Sequence, residues 1–296
     1  MSKIDVMLGF DMETDVGSWT PFYKGMKFGT PKILSIIKKH GVSATFFFTG
    51  DSARKNPAIV RQVRRAGHEI GCHTLFHETI GDSLFDIPGM MPILPSEVEN
   101  RLRLATKWVE EVAGTRPVSF RAPRLFGSTA MINALEKLGY ASDSTYPMYY
   151  FKKRLQPYHP SRKNWLEPGN LKIVELPNFA DLSMKSTDKY GRDLDQWPLF
   201  RTKNAGALLK HVDGFCHYVK ERKIKPFLCF YFHPWEFHAM PKGEIHYGEG
   251  GVRPDPFITK NCGDYAAEQL DALLEKLKQR GAEFFQAGQI AATYRQ

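Results

Sequence analysis

The chain has 296 residues, of which 42% are hydrophobic, so it can bury one large core or two small ones and lacks the composition of a disordered protein. Its 41 Lys and Arg residues against 32 Asp and Glu residues give a net charge of +9. The basic residues are scattered over helical patterns and form no long run, which argues against nucleic-acid binding. The chain contains no run of about 18 apolar residues, so the sequence predicts no membrane span.

The cysteine pattern indicates a reducing compartment. The four cysteines show no CxxC spacing, and Cys72 and Cys229 lie inside apolar runs, where small buried thiols are common. The first ten residues lack the basic start and long apolar core of a signal peptide. We therefore expect a soluble, cytoplasmic protein that acts on a small or lipid-linked molecule rather than on a mature cell-wall polymer.

Strand-like and helical patterns alternate along the chain. The predicted strands are residues 4–10, 43–49, 69–72, 118–121, 172–177, 226–233 and 282–287. Most of them are separated by predicted helices at residues 31–40, 57–66, 96–113, 129–138, 205–222 and 265–280. Several helices end at a glycine, as at Gly41 and Gly114. This alternation predicts an α/β fold with a parallel sheet, either open or closed into a barrel.

Polar residues collect at the carboxyl ends of the predicted strands, where the active sites of parallel α/β folds lie. In chain order, the residues at these ends are Asp11, Glu13, His73, His77, Arg121 and His233. Long loops are expected to surround the same edge of the sheet at residues 78–95, 147–169 and 238–262.

Two imidazoles stand four residues apart in the segment GCHTLFHE, residues 71–78. On a helical turn, side chains at i and i+4 share one face, so we expect His73 and His77 to reach a single metal ion. The spacing alone is weak evidence in a chain with ten histidines, but the carboxylates after the first strand strengthen it. Two histidines and one carboxylate form a common hydrolytic zinc set that leaves one position open for water.

Asp11 and Glu13 are two residues apart, so on a continued strand they point to the same side of the sheet. One could bind a metal ion while the other acts as a base, and the residues alone leave the assignment open. Asp15 is better explained as a helix cap or a loop residue. Asp11 follows a segment that should be buried, and a buried carboxylate needs a partner, for which Arg121 is the natural candidate.

His233 ends the most apolar predicted strand and is followed by Pro234 and Trp235. A lone histidine among apolar residues is usually structural, but its place at the catalytic edge favours a general acid or base. Asp143 lies in the segment ASDST, residues 141–145, where a turn residue and a functional residue are equally consistent with the sequence.

In this order, the motifs FDME, ATFF, GHEIG, HTLFH, RAP, DS and FHP resemble those of the polysaccharide deacetylase family, also known as the NodB-homology family or carbohydrate esterase family 4. The resemblance extends over residues 4–287. It implies a distorted (β/α) barrel of about seven parallel strands. It also implies that residues 1–296 form a single catalytic domain.

The resemblance assigns a role to each matched residue. It makes Asp11 the catalytic base and Arg121 the residue that holds this base. It makes His233 the general acid and Asp143 the group that tunes this acid. The metal ligands that it implies are His73 and His77.

The chain departs from the family pattern at two positions. The family motif has two adjacent aspartates, whereas Met12 takes the second place here, so Glu13 becomes the expected third ligand of a divalent ion, most simply Zn²⁺. This spaced pattern resembles a divergent branch with exopolysaccharide-associated deacetylases and enzymes that open cyclic imides and ureides. Arg124 stands where classical members carry a tyrosine after the proline, which would alter the oxyanion and acyl pocket.

Together these features predict a metal-dependent hydrolase of a non-peptide C–N bond, with N-deacetylation of an acetylated amino sugar or glycan as the preferred reaction. One alternative is a hydrolase of a cyclic imide or ureide, and another is a catalytically inactive carbohydrate-binding barrel. The expected binding partner is an acetylated sugar or a small amide. We expect neither nucleic-acid binding nor stable membrane insertion, and the sequence allows a homo-oligomer. A closed pocket would indicate a small ligand, and an open groove would indicate a glycan.

Overall fold

The strands follow the apolar segments of the sequence in this computed structural model, which describes residues 3–195 and 197–294. Within those residues the strands are β1 (Ile4–Met12), β2 (Thr45–Phe48), β3 (Glu69–Cys72), β4 (Ser119–Phe120), β5 (Ser142–Asp143), β6 (Val174–Glu175), β7 (Phe227–Phe232), β8 (Ile245–His246), β9 (Gly251–Val252) and β10 (Ala282–Phe285). All seven predicted strands are present, and β1 continues two residues beyond its predicted end.

Eight strands form a curled parallel sheet, in which seven follow the order β7-β1-β2-β3-β4-β5-β6 and β10 also pairs with β1. Strand β7 pairs with one edge of β1. The opposite edge of β1 pairs with β10 along residues 4–7 and with β2 along residues 9–12. After β6, the Phe179 amide donates a hydrogen bond of 2.8 Å to the Cys229 carbonyl in β7, so the two edges of the sheet meet. The predicted distorted barrel is thereby confirmed, while β8 and β9 form a separate antiparallel pair.

Helices connect most of the strands. Those of the described residues are α1 (Asp15–Ser18), α2 (Lys24–His40), α3 (Gly50–Lys55), α4 (Pro57–Arg65), α5 (Val98–Ala113), α6 (Thr129–Lys137), α7 (Met148–Phe151), α8 (Leu199–Thr202), α9 (Ala205–Glu221), α10 (Pro256–Thr259), α11 (Asp264–Gln279) and α12 (Ala287–Thr293). The six predicted helices are all among them. In this part of the chain we find no helix with the length and apolar character needed to cross a bilayer.

Helix α2 begins at Lys24, before its predicted start at residue 31, because a carboxylate outside the helix caps it. Asp15 accepts hydrogen bonds from the backbone amides of Lys24 at 3.0 Å and Gly25 at 2.8 Å. Proline favours the first turn of a helix, which is why Pro31 suggested the later start. The interpretation of Asp15 as a helix cap is confirmed, and burial raises the pKa of its carboxyl group to about 6.

The sequence does not predict strand β5, which lies between β4 and β6 and is fully buried. Its two residues, Ser142 and Asp143, are small or charged, and a strand this short has no alternation to detect. Tertiary pairing determines the strand, since Asp143 is opposite Phe120 in β4 and Glu175 in β6. The turn interpretation of residue 143 is therefore wrong.

Helix α2 packs closely against the turn that follows β7. A Cβ added at Gly29 would lie 2.0 Å from the Pro234 carbonyl oxygen, and backbone atoms on both sides leave little room to relax. We expect Gly29→Ala to lower the free energy of unfolding by about 1–3 kcal/mol, measured by denaturant titration. The matched control is Gly206→Ala in α9, where the nearest atom, Asn204 Oδ1, lies at 3.3 Å in an exposed first turn. An equal loss of stability in both variants would contradict this close packing.

Candidate active site

A pocket of about 510 Å³ lies where β1, β3 and β7 end. The three loops expected at this edge all reach it. Residues of these loops that line the pocket are Phe85, Ile87, Tyr149, Val252, Arg253, Pro254, Asp255 and Ile258. Of the predicted site residues, the pocket is lined by Asp11, Glu13, His73, His77 and His233.

Three buried side chains that can serve as metal ligands converge in this pocket, namely Glu13, His73 and His77. Their ligand atoms all lie within 4.8 Å of one another. Glu13 Oε2 is 2.5 Å from His77 Nε2 and 3.7 Å from His73 Nε2. His73 Nδ1 lies 2.7 Å from the Arg121 carbonyl oxygen, and since a carbonyl only accepts, Nδ1 carries the proton and Nε2 keeps its lone pair. Two imidazoles and one carboxylate fit a divalent metal ion.

The two histidines do not lie on a helical turn, so the structural basis of that prediction is wrong. Residues 73–77 form an irregular loop in which Thr74 and His77 both have a left-handed φ of 67°. Backbone bonds of 2.9 Å to the carbonyls of Thr74 and Leu75, donated by residues at the start of α3, hold the loop. The two rings nevertheless meet, with centroids 5.1 Å apart. Strained backbone of this kind often occurs at functional sites.

The order Asp-Met-Glu at the end of β1 follows from strand alternation. Met12 packs into the hydrophobic core, whereas Asp11 and Glu13 both face the pocket. Burial opposes ionisation of Glu13, but the imidazoles of His77 and His233 outweigh it and hold the pKa of this carboxyl well below its usual range. Glu13 is therefore ionised, as a metal ligand must be.

Asp11 forms the expected ion pair with Arg121. Arg121 Nη1 donates to Asp11 Oδ1 at 2.9 Å, and the guanidinium is fully buried. Its other nitrogens donate to the carbonyl and hydroxyl oxygens of Ser144 at 3.1 and 2.8 Å. With Oδ1 engaged, Asp11 Oδ2 points towards His233 Nε2, at 4.0 Å.

His233 faces both carboxylates of β1. Its Nε2 lies 4.0 Å from Asp11 Oδ2 and 4.0 Å from Glu13 Oε1, and its Nδ1 lies 3.0 Å from Glu236 Oε1. Burial disfavours the charged imidazole, but Glu13, Glu236 and Asp11 together overcome this and raise the pKa of His233. The surrounding negative charge thus favours the protonated form of the ring.

Asp143 makes no contact with His233 among the described residues, so the predicted tuning contact is absent. Asp143 Oδ1 instead accepts from the Thr145 hydroxyl at 2.6 Å. Burial raises the pKa values of Asp143 and its neighbour Glu175, so this carboxyl pair retains a proton. Glu175 also accepts from the amides of Thr145 and Tyr146, so the pair supports the segment that carries Ser144, the partner of Arg121.

Several residues in or beside the pocket are not identified by the sequence reasoning. Glu236 replaces Asp143 as the carboxylate at His233, and the only sequence signal is its place three residues after the histidine. Residues 191–198 belong to none of the predicted loops, yet they contribute Arg192, Asp195 and Trp197. The remaining aromatic lining residues are Trp19, Tyr231 and Trp235.

Arg124, at the second departure from the family pattern, lies directly beside the metal-ligand set. Its Nη1 is 3.2 Å from His77 Nδ1 and 3.5 Å from the His77 carbonyl oxygen. Burial lowers the pKa of this guanidinium, with Glu13 opposing the shift. Arg124 therefore brings a positive charge to the position where classical members carry a phenol.

Residues 2–142 match the family model for polysaccharide deacetylases. Over this part of the chain, just under half of its 296 residues, the protein is similar to polysaccharide deacetylases. A peptidoglycan-N-acetylglucosamine deacetylase of Bacillus cereus is 28% identical over 159 residues, which are 54% of this chain and 63% of that protein. A chitooligosaccharide deacetylase of Azorhizobium caulinodans is 36% identical over 111 residues, 37% of this chain and 48% of that protein. The matches thus span less than two thirds of each relative.

A solved structure extends the similarity from the matched residues to the whole fold. Puue allantoinase superposes with a TM-score of 0.64 at 15% identity, over 99% of this chain and 90% of that chain. At this identity the comparison establishes the barrel architecture alone.

We expect the isolated protein to carry about one divalent ion per chain, bound by Glu13, His73 and His77. His73→Ala or His77→Ala should remove the ion and leave the protein folded, as measured by elemental analysis together with circular dichroism. The matched control is His217→Ala, whose side chain is 74% exposed on α9. Metal content that stays unchanged in both site variants would rule out this set of ligands.

Proposed function

We propose that this protein is a metal-dependent hydrolase of a non-peptide C–N bond that removes the acetyl group from an acetylated amino sugar. The observation that carries the proposal is that the candidate metal ligands Glu13, His73 and His77 line one pocket. Asp11 and His233 line the same pocket beside them. The two relatives, a peptidoglycan-N-acetylglucosamine deacetylase and a chitooligosaccharide deacetylase, support this substrate class.

The metal-ligand set favours Zn²⁺, because two imidazoles and one carboxylate suit its ligand preference and leave a position open. A bound ion would polarise the amide carbonyl and lower the pKa of water towards about 7. Glu13 is the carboxylate ligand, since it lies nearest both histidines, whereas Asp11 is engaged by Arg121.

Asp11 is the general base. Arg121 occupies its Oδ1 and leaves Oδ2 on the pocket side, where it can accept the proton of the attacking water. Buried hydrogen bonds to Ser144 fix the guanidinium, so the carboxylate cannot turn away from the pocket. The ion pair thus orients the base.

His233 is the general acid. An amine leaves poorly unless it receives a proton, so hydrolysis of an amide needs a donor on the leaving-group side. The Nδ1 of His233 is occupied by Glu236, which leaves Nε2 to deliver its proton into the pocket. Asp11 and His233 therefore act on opposite parts of the same reaction, one on water and one on the amine.

The pocket dimensions support a small substrate. Ligand pockets of about 300–1,000 Å³ enclose drug-sized molecules, and aromatic side chains make good walls for sugar rings and flat heterocycles. This pocket of about 510 Å³ suits one acetylated sugar residue, either free or at the end of a chain.

The aromatic lining also suits a second candidate, the hydrolysis of a cyclic imide or ureide, whose flat ring would fit against these side chains. A comparison of the turnover of N-acetylglucosamine oligomers with the turnover of hydantoin distinguishes the two candidate functions. An inactive carbohydrate-binding barrel is the weakest candidate, because the chain keeps a metal-ligand set, a base and an acid in one pocket.

The carboxylates of β1 should give different phenotypes. We expect Asp11→Asn to keep the metal ion and the fold but to lower acetate release by about 10²-fold or more, the usual contribution of a positioned base. Glu13→Gln should instead weaken metal binding, measured by competition with a chelator. Exchanged phenotypes would reverse the assignment of base and ligand.

The dependence of turnover on pH should be bell-shaped. The mechanism needs an ionised base for the attack of water and a protonated acid for the departure of the amine, which gives one acidic and one basic limb. Initial rates at constant ionic strength give the profile. A profile without a basic limb would contradict the general-acid role of His233.

A further inference from the structure

Glu236 is a fully buried carboxylate that accepts four hydrogen bonds in the short turn after β7. Its Oε1 accepts from the His233 amide at 2.9 Å, from His233 Nδ1 at 3.0 Å and from Trp197 Nε1 at 2.9 Å. Its Oε2 accepts from Arg201 Nε at 2.6 Å. Neither β1 nor the metal-ligand set contributes to this cluster.

Arg201 connects this carboxylate to the pocket rim. The guanidinium is fully buried, and its two terminal nitrogens donate to the carbonyls of Ile258 and Lys260, each at 2.7 Å. Ile258 lines the pocket. All three nitrogens of Arg201 are thereby occupied, and the rim is tied to the residue that contacts His233.

We propose that Glu236, held by Arg201, is the positioning residue that keeps His233 in the orientation and tautomer required to protonate the leaving amine. This inference rests on the proposed function and deepens it.

The hydrogen-bonding pattern gives the chemical reason. An ionised carboxylate can only accept, so His233 Nδ1 must hold a proton against Glu236 and Nε2 must face the pocket. In the proton transfer, the Nε2–H bond breaks and the proton goes to the departing amine nitrogen, while Nδ1 keeps its own proton in the hydrogen bond to Glu236. The ring is then neutral and stays in place for the next protonation.

Neighbouring aromatic rings fix the plane of the imidazole but not its tautomer. Trp235 stacks on His233 with centroids 5.3 Å apart and an interplanar angle of 23°, and Trp197 meets it edge-on at 5.2 Å. Neither ring favours a protonated Nδ1 over an unprotonated Nδ1 as strongly as a hydrogen-bond acceptor does. That selection falls to Glu236.

A carboxamide cannot replace this carboxylate. If the amide oxygen in the Glu236→Gln variant accepted from Arg201, the amide NH₂ group would meet the donors of His233 and Trp197. The imidazole could then pair with the amide only by accepting at Nδ1, which puts the proton of the neutral ring on Nε2. In either orientation of the amide, Glu236→Gln therefore removes the negative charge that holds the Nδ1 proton of His233, while it leaves the shape of the side chain almost unchanged.

The experiment compares two substrates that differ in their need for an acid: N-acetylglucosamine oligomers and 4-nitrophenyl acetate, whose leaving group departs without a proton. In the metal-loaded protein, we expect Glu236→Gln to lower kcat on the amide by about 10²-fold or more, with little change in KM. The fall on the ester should be at most a few-fold, as for His233→Ala. The matched control is Glu268→Gln, at an exposed position on α11, which should match the wild type on both substrates.

A second variant addresses folding, because Glu236→Gln leaves the buried charge of Arg201 without its carboxylate. The double variant Glu236→Gln with Arg201→Gln removes both charges, and circular dichroism and elemental analysis should show that it is folded at the assay temperature and carries the metal ion. It should show the same selective loss on the amide.

The outcomes separate the inference from the function on which it rests. Equal losses on amide and ester in the folded double variant, or full amide activity in Glu236→Gln, would overturn the positioning role alone. A metal-loaded wild-type protein that hydrolyses neither substrate would overturn the proposed function, and the inference with it.

Discussion

The buried ion pair between Arg121 and Asp11 is the interaction on which the arrangement of the site depends. A guanidinium with no solvent contact must have its charge balanced, and removing one partner of such a pair typically costs about 3–5 kcal/mol. The surrounding structure is arranged for it: Gly9 in β1 leaves room, since a Cβ there would lie 2.2 Å from Arg121 Nη1. Ser144, at the end of β5, occupies the remaining nitrogens. Strands β1, β4 and β5 are thus joined through one side chain.

A separate cationic group holds each of three acidic side chains around the pocket. Arg121 holds Asp11, the imidazoles hold Glu13, and Arg201 holds Glu236. Burial opposes ionisation of Glu236, but Arg201 outweighs it and lowers the pKa of this carboxyl. Separate partners allow three carboxylates to stay close together without sharing a proton, in contrast to the buried pair formed by Asp143 and Glu175. This separation is what permits the distinct proposed roles of base, ligand and positioning residue.

The features that the sequence predicts are those with a local signal. The parallel barrel follows from alternating apolar periods, and the pairing of Asp11 with Arg121 follows because each ends a buried strand and needs a partner. The meeting of His73 and His77 is predicted for the wrong reason, since the left-handed backbone at Thr74 and His77 leaves no mark in the residue pattern. The contact between Glu236 and His233 is equally hidden, because an i+3 carboxylate acts this way only inside a short helical turn.

The two halves of the chain contribute different parts of the site. The region that matches the family model, residues 2–142, contains Asp11, the metal-ligand set and Arg121. The C-terminal half contributes His233, Glu236 and most of the aromatic wall, including Trp197 and Tyr231. Under the proposed function, the groups that act on water lie in the matched region, and those that meet the leaving amine lie outside it. Because Arg201 ties Glu236 to the rim at Ile258, a change in the rim would also reach His233. Under the proposed function, one buried guanidinium would in this way couple substrate choice to proton delivery.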